Sequence, residues 1–257
     1  MRKRLDSLSV LVLNLLAFLL SVVSGAESDS CPSTLVSTFR KGIIDISVGL
    51  SSATVSMESD TGLGNFRYLQ NSIDDGDFFN GSGLRDLSAH AGTHVDSPGH
   101  FINEAYHAKK GVHQLDLDIL NGPAVVVEVP DNTNITAAAL EALAIPPGAV
   151  RVLFKTLNTK KKLMTKTKFE PTYTAVTKDG AEWIVAHPNI RLVGIDYLSI
   201  AHYADLIGPH IVLLSEEIIP LEGLVLEEVE PGLYTLHCLP LKLVDSDGAP
   251  TRCILMQ

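Results

Sequence analysis

The sequence predicts a mixed α/β fold with a mainly β core and a few covering helices. Short apolar runs rich in β-branched residues recur along the chain, and only two segments combine helical spacing with helix start or stop signals. The composition, 46% hydrophobic and 19% charged among 257 residues, provides enough apolar material for a buried core. Because predicted strands outnumber helices, we expect one mainly β core in a single domain.

The predicted elements follow the chain in order. Strands are predicted over residues 42–48, 124–129, 150–155, 191–195, 210–214, 218–219, 221–226, 232–239 and 252–255. Helices are predicted over 136–143, where Thr136 is the cap and a Pro-Pro-Gly sequence ends the helix, and over 177–186. Residues 56–86 are rich in Asp, Gly, Asn and Ser, which indicates a long irregular connection.

The N-terminus has the pattern of a secretory signal peptide. Arg2, Lys3 and Arg4 precede an apolar run over 8–23, and the small residues 24–26 follow it. A membrane anchor is the alternative, but the run is shorter than the roughly 20 residues that a span needs. We therefore expect cleavage after Ala26, a mature domain over 27–257, no stable membrane anchor, and secretion to the extracellular space or matrix.

Secretion affects how the three cysteines are interpreted. Cys238 and Cys253 flank a turn at 245–248 between two apolar runs, so a hairpin would let their sulfur atoms face each other, with buried thiols as the open alternative. Cys31 would then remain unpaired within the monomer. The glycosylation sequons at Asn80 and Asn134 are compatible with the secretory route.

The formal net charge of -10 argues against nucleic acid as a partner, because phosphates require clustered Lys and Arg. The one basic run, at 160–162, lies among Thr residues in a predicted loop, and we interpret it as solvated surface. The expected partner is a small-molecule substrate, and we expect a homo-oligomer.

One short segment, HAGTHVDSPGH at 90–100, concentrates three histidines and a carboxylate. Imidazole nitrogen and carboxylate oxygen are preferred ligands of zinc and similar divalent ions. The glycines and Pro98 disfavour both a continuous strand and a regular helix, so we predict a tightly turned segment whose side chains converge. The alternative is a set of scattered hydrogen-bonding or surface histidines. We assign a surface or cap role to His107 and His113.

This segment resembles the signature H-x-G-T-H-x-D-x-P-x-H of the metal-dependent cyclase and kynurenine formamidase superfamily. Every fixed position of the signature is present. The resemblance extends to the plant cyclase-like branch through LNGPA at 120–124, FKTLNT at 154–159, VGIDYLSIA at 193–201, LEGL at 221–224 and LYTLHCLPLKLV at 233–244. It covers nearly the whole mature chain and implies a swivelling β/β/α-type domain.

The resemblance implies roles for the signature residues. His90, His94 and Asp96 would bind metal, with Asp96 bridging two ions. His100 would donate and accept a proton. The implied cofactor is a divalent metal ion, with zinc preferred and manganese as the alternative.

A distal pair completes the second metal site in the family, and it matches His210 and Glu222 in this sequence. Spacing alone does not select this pair. Without the resemblance, Glu222 would be interpreted as a surface carboxylate at a strand end, and His202 competes equally with His210.

The implied activity is hydrolysis of a small amide, cyclic amide or ester by activated water, with N-formylkynurenine cleavage as the family activity. The sequence has no G-x-S-x-G motif for a serine nucleophile, which agrees with this chemistry. It departs from the family at 51–62, where formamidases carry an aromatic residue that contacts the substrate. The only Trp is Trp183, which we assign to core packing. This departure weakens N-formylkynurenine as the substrate.

Two other functions compete with the hydrolase. A noncatalytic extracellular regulator of stress or growth could retain the metal site for structure, but such a site would need only ligands and not His100. A ring-forming cyclase is disfavoured, because activated water favours ring opening in an aqueous compartment.

Overall fold

Ten strands and six α-helices make up residues 42–257, the part of the chain that this computed structural model describes. The strands are β1 Ile44–Asp45, β2 Arg67–Asn71, β3 Gly81–Leu84, β4 His94–Asp96, β5 Asn121–Glu128, β6 Arg151–Lys155, β7 Leu192–Ile195, β8 Ile219–Glu222, β9 Gly232–Pro240 and β10 Gly248–Met256. The helices are α1 Asn103–His107, α2 Leu117–Leu120, α3 Ala137–Ala142, α4 Leu157–Lys160, α5 Lys178–Val185 and α6 Ile207–Ser215. Short 3-10 turns cover Ile73–Asp75, Pro98–His100, Val112–Gln114, Leu163–Thr165 and Tyr203–Asp205.

Seven strands close into a barrel in the order β10, β4, β8, β7, β6, β5 and β9, and β9 pairs back onto β10. Strands β5, β6, β7 and β8 run parallel to one another, whereas the other barrel pairs are antiparallel. Parallel neighbours need long crossover connections, and α3 to α6 lie within these connections. Closure leaves no unpaired edge in the barrel. The mixed α/β fold with a mainly β core is thus confirmed.

Two hydrophobic clusters lie on opposite faces of the sheet. Along β6, Val152 and Phe154 belong to the cluster beneath the helices, while Leu153 belongs to the cluster that draws on all seven barrel strands and fills the interior. This alternation follows from the two-residue period of a strand. Trp183 packs partly buried against the helix-side cluster, as predicted, and its indole N–H donates to Glu141 at 2.8 Å.

Both helix predictions are confirmed, and one strand prediction is wrong. The helices predicted at 136–143 and 177–186 appear as α3 and α5, and the Thr136 hydroxyl accepts the backbone N–H of Ala139. Residues 210–214 were predicted as a strand but lie in α6. A short apolar run fits a buried helix as well as a strand, and Pro209 is tolerated because it lies in the first turn of α6.

Several predicted boundaries also differ from the structure. The irregular connection at 56–86 contains the separate two-stranded sheet of β2 and β3. The run at 42–48 forms only the two-residue β1 and a bridge from Ser47 to Leu224. The basic run predicted to lie in a loop begins at Lys160, the last residue of α4, whose ammonium pairs with Glu128 and Asp131.

A disulfide joins Cys238 and Cys253, which are directly paired across β9 and β10. The hairpin alternative is therefore the one that the structure contains. The predicted signal peptide at 1–26 and Cys31 lie outside the described residues. Within residues 42–257, no helix is long and apolar enough to cross a membrane.

Candidate metal centre

The signature segment forms a bend, a short strand and a 3-10 turn. Gly92 has φ +64°, which turns the chain into β4, and the 3-10 turn begins at Pro98. Within β4, His94 and Asp96 are two residues apart and therefore share a face, while Val95 points into the barrel core. The predicted converging geometry is thus produced by a strand of three residues flanked by turns.

Close backbone packing holds β4 against β8 beside the centre. Gly223 has φ +69°, and a Cβ atom at this position would overlap the carbonyl oxygen of Gly92. The Thr93 hydroxyl donates to the carbonyl oxygen of Gly223 at 2.6 Å. Both glycines are therefore required by backbone conformation or by close approach, and they fix the spacing of the two strands.

The distal pair predicted from the resemblance lies beside β4. Glu222 is the residue of β8 directly opposite His94, and its Oε2 is 3.2 Å from His94 Nε2. His210 comes from α6, and its Nε2 is 3.2 Å from Glu222 Oε1. A contact from His210 Nδ1 to the carbonyl oxygen of Leu206, at 2.6 Å, orients the ring. The structure therefore brings both members of the pair to the signature segment.

Asp96 lies at the middle of the cluster and is fully buried. Its Oδ1 is 2.9 Å from His90 Nδ1 and 3.7 Å from His94 Nε2. Its Oδ2 is 3.6 Å from His210 Nε2. One oxygen thus faces the pair His90 and His94, and the other faces His210.

Three buried polar atoms in this cluster have no hydrogen bond of acceptable geometry in the described chain, although two of them are only 2.9 Å apart: His90 Nδ1 and both carboxylate oxygens of Asp96. Buried polar atoms normally have partners, so three orphaned atoms aimed at one another need an explanation. His90, His94 and Asp96 form one group whose possible ligand atoms all lie within 4.8 Å, and Asp96, His210 and Glu222 form another. These nitrogen and oxygen donors fit zinc or manganese ions.

The electrostatics of the cluster favour added positive charge. Burial opposes protonation of His94 and His210, but hydrogen bonds and attraction from Glu222 outweigh it and raise the pKa of both rings. Burial likewise opposes a charge on Glu222, yet the two histidines hold the pKa of that carboxyl well below its usual range. A divalent cation would neutralise the same carboxylate charges that, without metal, stabilise protons on the histidine rings.

His100 lies at the rim of the cluster, where its side chain is 26% exposed. Its ring stacks on the ring of His90, with 4.0 Å between centroids. Its Nδ1 is 3.0 Å from Asp247 Oδ2, while its Nε2 has no hydrogen-bond partner within residues 42–257. Nε2 is therefore the ring nitrogen that is left without a hydrogen bond among the described residues.

Asp247 also belongs to the centre, although its sequence context indicates only a turn. Asp247 immediately precedes β10, and β10 pairs with β4 so that Gly248 lies opposite Asp96. The carboxylate contacts His90 and His100, which are 157 and 147 residues away in sequence. No local pattern indicates such a contact; only the pairing of β10 with β4 could have revealed it.

The remaining histidines singled out from the sequence lie outside the cluster. His202 accepts the backbone N–H of Ala204 and caps a 3-10 turn. His107 is exposed at the end of α1, and His113 accepts the backbone N–H of Asp245. Of the two histidines that competed for the distal position, the structure places His210 in the cluster.

Comparison with known proteins gives concordant results. The Cyclase family model, described as "Putative cyclase", matches residues 44–202. The chain is 49% identical over 216 residues to Cyclase-like protein 3 of Oryza sativa subsp. japonica. That alignment covers 84% of this chain and 80% of the relative. It is 36% identical over 170 residues to Kynurenine formamidase of Geobacillus thermodenitrificans. This second alignment covers 66% of this chain and 77% of the formamidase.

A solved structure described as a predicted metal-dependent hydrolase from Bacillus stearothermophilus has a similar fold. Its TM-score with this chain is 0.69 at 28% sequence identity, and the alignment covers 83% of this chain and 97% of that one. The similarity therefore extends over the barrel and its helices and is not confined to the signature segment.

Proposed function

This chain belongs to the Cyclase family, and from that membership we propose that it uses a divalent metal ion to hydrolyse a small amide, cyclic amide or ester. A formamidase and a metal-dependent hydrolase among its relatives support a hydrolase. The observation that carries the proposal is the convergence of His90, His94, Asp96, His210 and Glu222, with three of their buried polar atoms unpartnered.

Two groups of residues would hold metal. His90, His94 and Asp96 form the first group, and Asp96 joins His210 and Glu222 in the second. A divalent ion held by these residues would supply Lewis acidity, which lowers the pKa of a bound water and polarises a carbonyl group. Zinc suits this donor set best, and manganese is the alternative.

The role that we propose for His100 is proton transfer to the leaving nitrogen or oxygen. Its Nε2 makes no hydrogen bond within residues 42–257, and its Nδ1 is held by Asp247. A positioned imidazole of this kind contributes about 10²–10⁴-fold to rate. The exposed fraction of 26% allows a substrate to reach the ring while His90 fixes its plane by stacking.

The proposed substrate is small and need not carry the kynurenine side chain. Residues 51–62 contain no aromatic residue that could pack on a substrate ring, and this segment follows Leu50, which packs against Gly92 of the signature segment. The specificity proposed is therefore for the scissile amide or ester group, with less selection for an extended aromatic substituent.

The test combines metal analysis with hydrolysis of aryl formamides and lactams. Wild type, His94→Ala and His100→Ala are compared by elemental analysis and by steady-state kinetics, with the exposed His107→Ala as the control. We expect His94→Ala to lose metal and activity, and His100→Ala to keep metal but lose turnover. A wild type that binds no metal, or a His100→Ala variant with full turnover, would refute the proposal. Full metal binding without turnover of any substrate would favour the noncatalytic regulator.

We also propose that the protein is secreted to the extracellular space or matrix. The disulfide between Cys238 and Cys253 supports an oxidising compartment. Expression in a secreting host followed by mass spectrometry of the mature protein tests this, and we expect an N-terminus at Glu27. Retention inside the cell with residues 1–26 intact would contradict it.

The homo-oligomer remains a proposal. The hairpin of β2 and β3 pairs with no other strand in the described chain, and Phe78 and Phe79 beside it are exposed. An isolated two-stranded hairpin is only marginally stable in water, which supports its burial against a second copy. Light scattering after size exclusion measures the mass directly, and a monomer would contradict the proposal.

A further inference from the structure

A single carboxylate oxygen of Asp247 contacts both the metal segment and the proton-transfer residue. Its Oδ2 lies 3.0 Å from His90 Nε2 and 3.0 Å from His100 Nδ1. Both distances are those of N–H···O hydrogen bonds, and a carboxylate can only accept, so each ring must present an N–H to Asp247. Asp247 therefore fixes the proton on one nitrogen of each imidazole.

For His90, this assignment determines which nitrogen faces the metal centre. Nδ1 is buried without a hydrogen-bond partner and lies 2.9 Å from Asp96 Oδ1. With Nε2–H donated to Asp247, Nδ1 carries the lone pair that a metal ion requires. A metal-ligating imidazole commonly donates its other ring N–H to a carboxylate, which orients the ring and raises its basicity as a ligand.

For His100, the same oxygen contacts Nδ1, whereas it contacts Nε2 of His90. Nδ1–H is donated to Asp247, so Nε2 is left to accept or release a proton at the rim of the centre. Within residues 42–257, Asp247 is the only residue that hydrogen-bonds to the His100 ring. Its carboxylate therefore selects the tautomer of this ring. The proton-transfer geometry therefore depends on Asp247.

The turn that carries Asp247 is held firmly in place. The backbone N–H and the hydroxyl of Ser97 both donate to the carbonyl oxygen of Asp247, at 2.8 Å and 3.0 Å. A Cβ atom on Gly248 would overlap the imidazole of His90, so the chain runs directly against that ring. The Asp247 side chain is 38% exposed, yet its backbone is held by Ser97 and by the close packing of Gly248 on His90.

We propose that Asp247 is a positioning residue that sets the tautomers of His90 and His100 through one oxygen, and thereby couples metal retention to proton transfer. This inference rests on the proposed hydrolase function. The competing role is that of a metal ligand, because His90, His100 and Asp247 also have possible ligand atoms within 4.8 Å of one another. The two roles differ in the number of ions that the protein binds once Asp247 is replaced.

The experiment compares Asp247→Asn and Asp247→Glu with Asp245→Asn as the matched control. Asp245 lies in the same turn and pairs with Lys109, away from the cluster. Metal affinity and stoichiometry are measured by competition with a chromogenic chelator, using zinc. Histidine tautomers are measured by long-range ¹⁵N–¹H NMR, and kcat and KM are measured at saturating zinc on the substrate identified by the hydrolysis screen.

We expect Asp247→Asn to bind the wild-type number of ions about 10- to 100-fold more weakly and to lose turnover by a similar factor, with KM nearly unchanged. In the NMR spectrum of this variant, the proton of His100 should no longer lie mainly on Nδ1. Asp247→Glu should restore part of both losses, and Asp245→Asn should behave as wild type. In a His100→Ala background, Asp247→Asn should still weaken metal binding but cause no further loss of turnover.

Several outcomes would overturn the inference. Loss of one ion per chain in Asp247→Asn would make Asp247 a ligand, and unchanged tautomers, metal affinity and turnover would make it a structural turn residue. The chelator and NMR measurements need no substrate, so they test Asp247 even if no hydrolysis is found. Absence of hydrolysis in the wild type would remove the proposed function, while altered tautomers and metal affinity in Asp247→Asn would still retain the positioning role.

Discussion

Glu222 lies directly opposite His94 across β4 and β8, with its Oε2 3.2 Å from His94 Nε2. Its other oxygen, Oε1, faces His210 at 3.2 Å and accepts the backbone N–H of Ile200 at 2.7 Å. One buried carboxylate therefore connects a strand, a helix and the connection that precedes the helix. Removing its charge should affect the metal centre more than the fold.

Replacing Glu222 with Gln should weaken metal binding by about 10- to 100-fold. The amide keeps the shape and can still accept from Ile200, but it removes a charged contact of about 1.5–3 kcal/mol. Titration calorimetry with zinc measures the effect. The exposed Glu228→Gln, which carries the same change in charge, is the control. Equal zinc affinity in the two variants would contradict the assignment of Glu222 to the centre.

Replacing Gly223 with Ala should destabilise the protein by at least about 1–3 kcal/mol, because the added Cβ adopts a strained φ and also overlaps the Gly92 backbone. Urea unfolding monitored by circular dichroism measures the change in the free energy of unfolding. Gly49→Ala is the control, because its added Cβ would meet no atom within 4 Å. A Gly223→Ala variant as stable as Gly49→Ala would show that the strands can separate at low cost.

The increase in melting temperature caused by metal should grow between pH 6 and pH 9. Burial opposes the charge on His90, but Asp247 and Asp96 raise the pKa of His90 to about 10, above the ordinary value of 6.5. This raised pKa stabilises the metal-free protein fully below about pH 6.5, and the contribution is lost as the pH rises toward about 10. The affinity for metal rises over the same pH range because fewer protons compete for the histidine nitrogens.

Thermal unfolding with zinc and with a chelator measures this difference across the pH series. His94→Ala is the control, in which we expect no shift on adding metal at any pH. A metal-induced shift that shrinks between pH 6 and pH 9 would contradict the assignment of protons and metal to the same atoms.

Replacing both Cys238 and Cys253 with Ala should lower the free energy of unfolding by about 3 kcal/mol, the value expected for a closed loop of about 15 residues. The wild type under strong reducing conditions should lose a similar amount, while the double variant should be insensitive to reductant. Denaturant unfolding with and without reductant makes the comparison. Equal stability of wild type and double variant under oxidising conditions would contradict it.

Local sequence patterns predicted some of these features well. The density of histidines in residues 90–100, with glycines and Pro98 among them, predicted a tightly turned segment whose side chains converge, and the structure contains that segment. The capped helix at α3 was recognisable from Thr136 and the following prolines. In both cases, the determining contacts lie within a few residues of sequence.

Other features depend on contacts that no local pattern contains. The run that follows His210 is apolar throughout, so the spacing of its apolar residues fits a strand as well as a helix. For this reason, residues 210–214 were predicted as a strand and α6 was missed. Glu222 was placed only through the family resemblance. Asp247 reaches the centre through the pairing of the first residues of β10 with β4, a relationship that spans most of the chain.

The position of β10 has a consequence for biosynthesis. Strand β4, which carries His94 and Asp96, lies between β8 and β10, and β10 follows all the other strands of the described chain. A growing polypeptide therefore lacks one wall of the cavity until β10 has left the ribosome. A product that is truncated before Gly248 should therefore lack a functional centre.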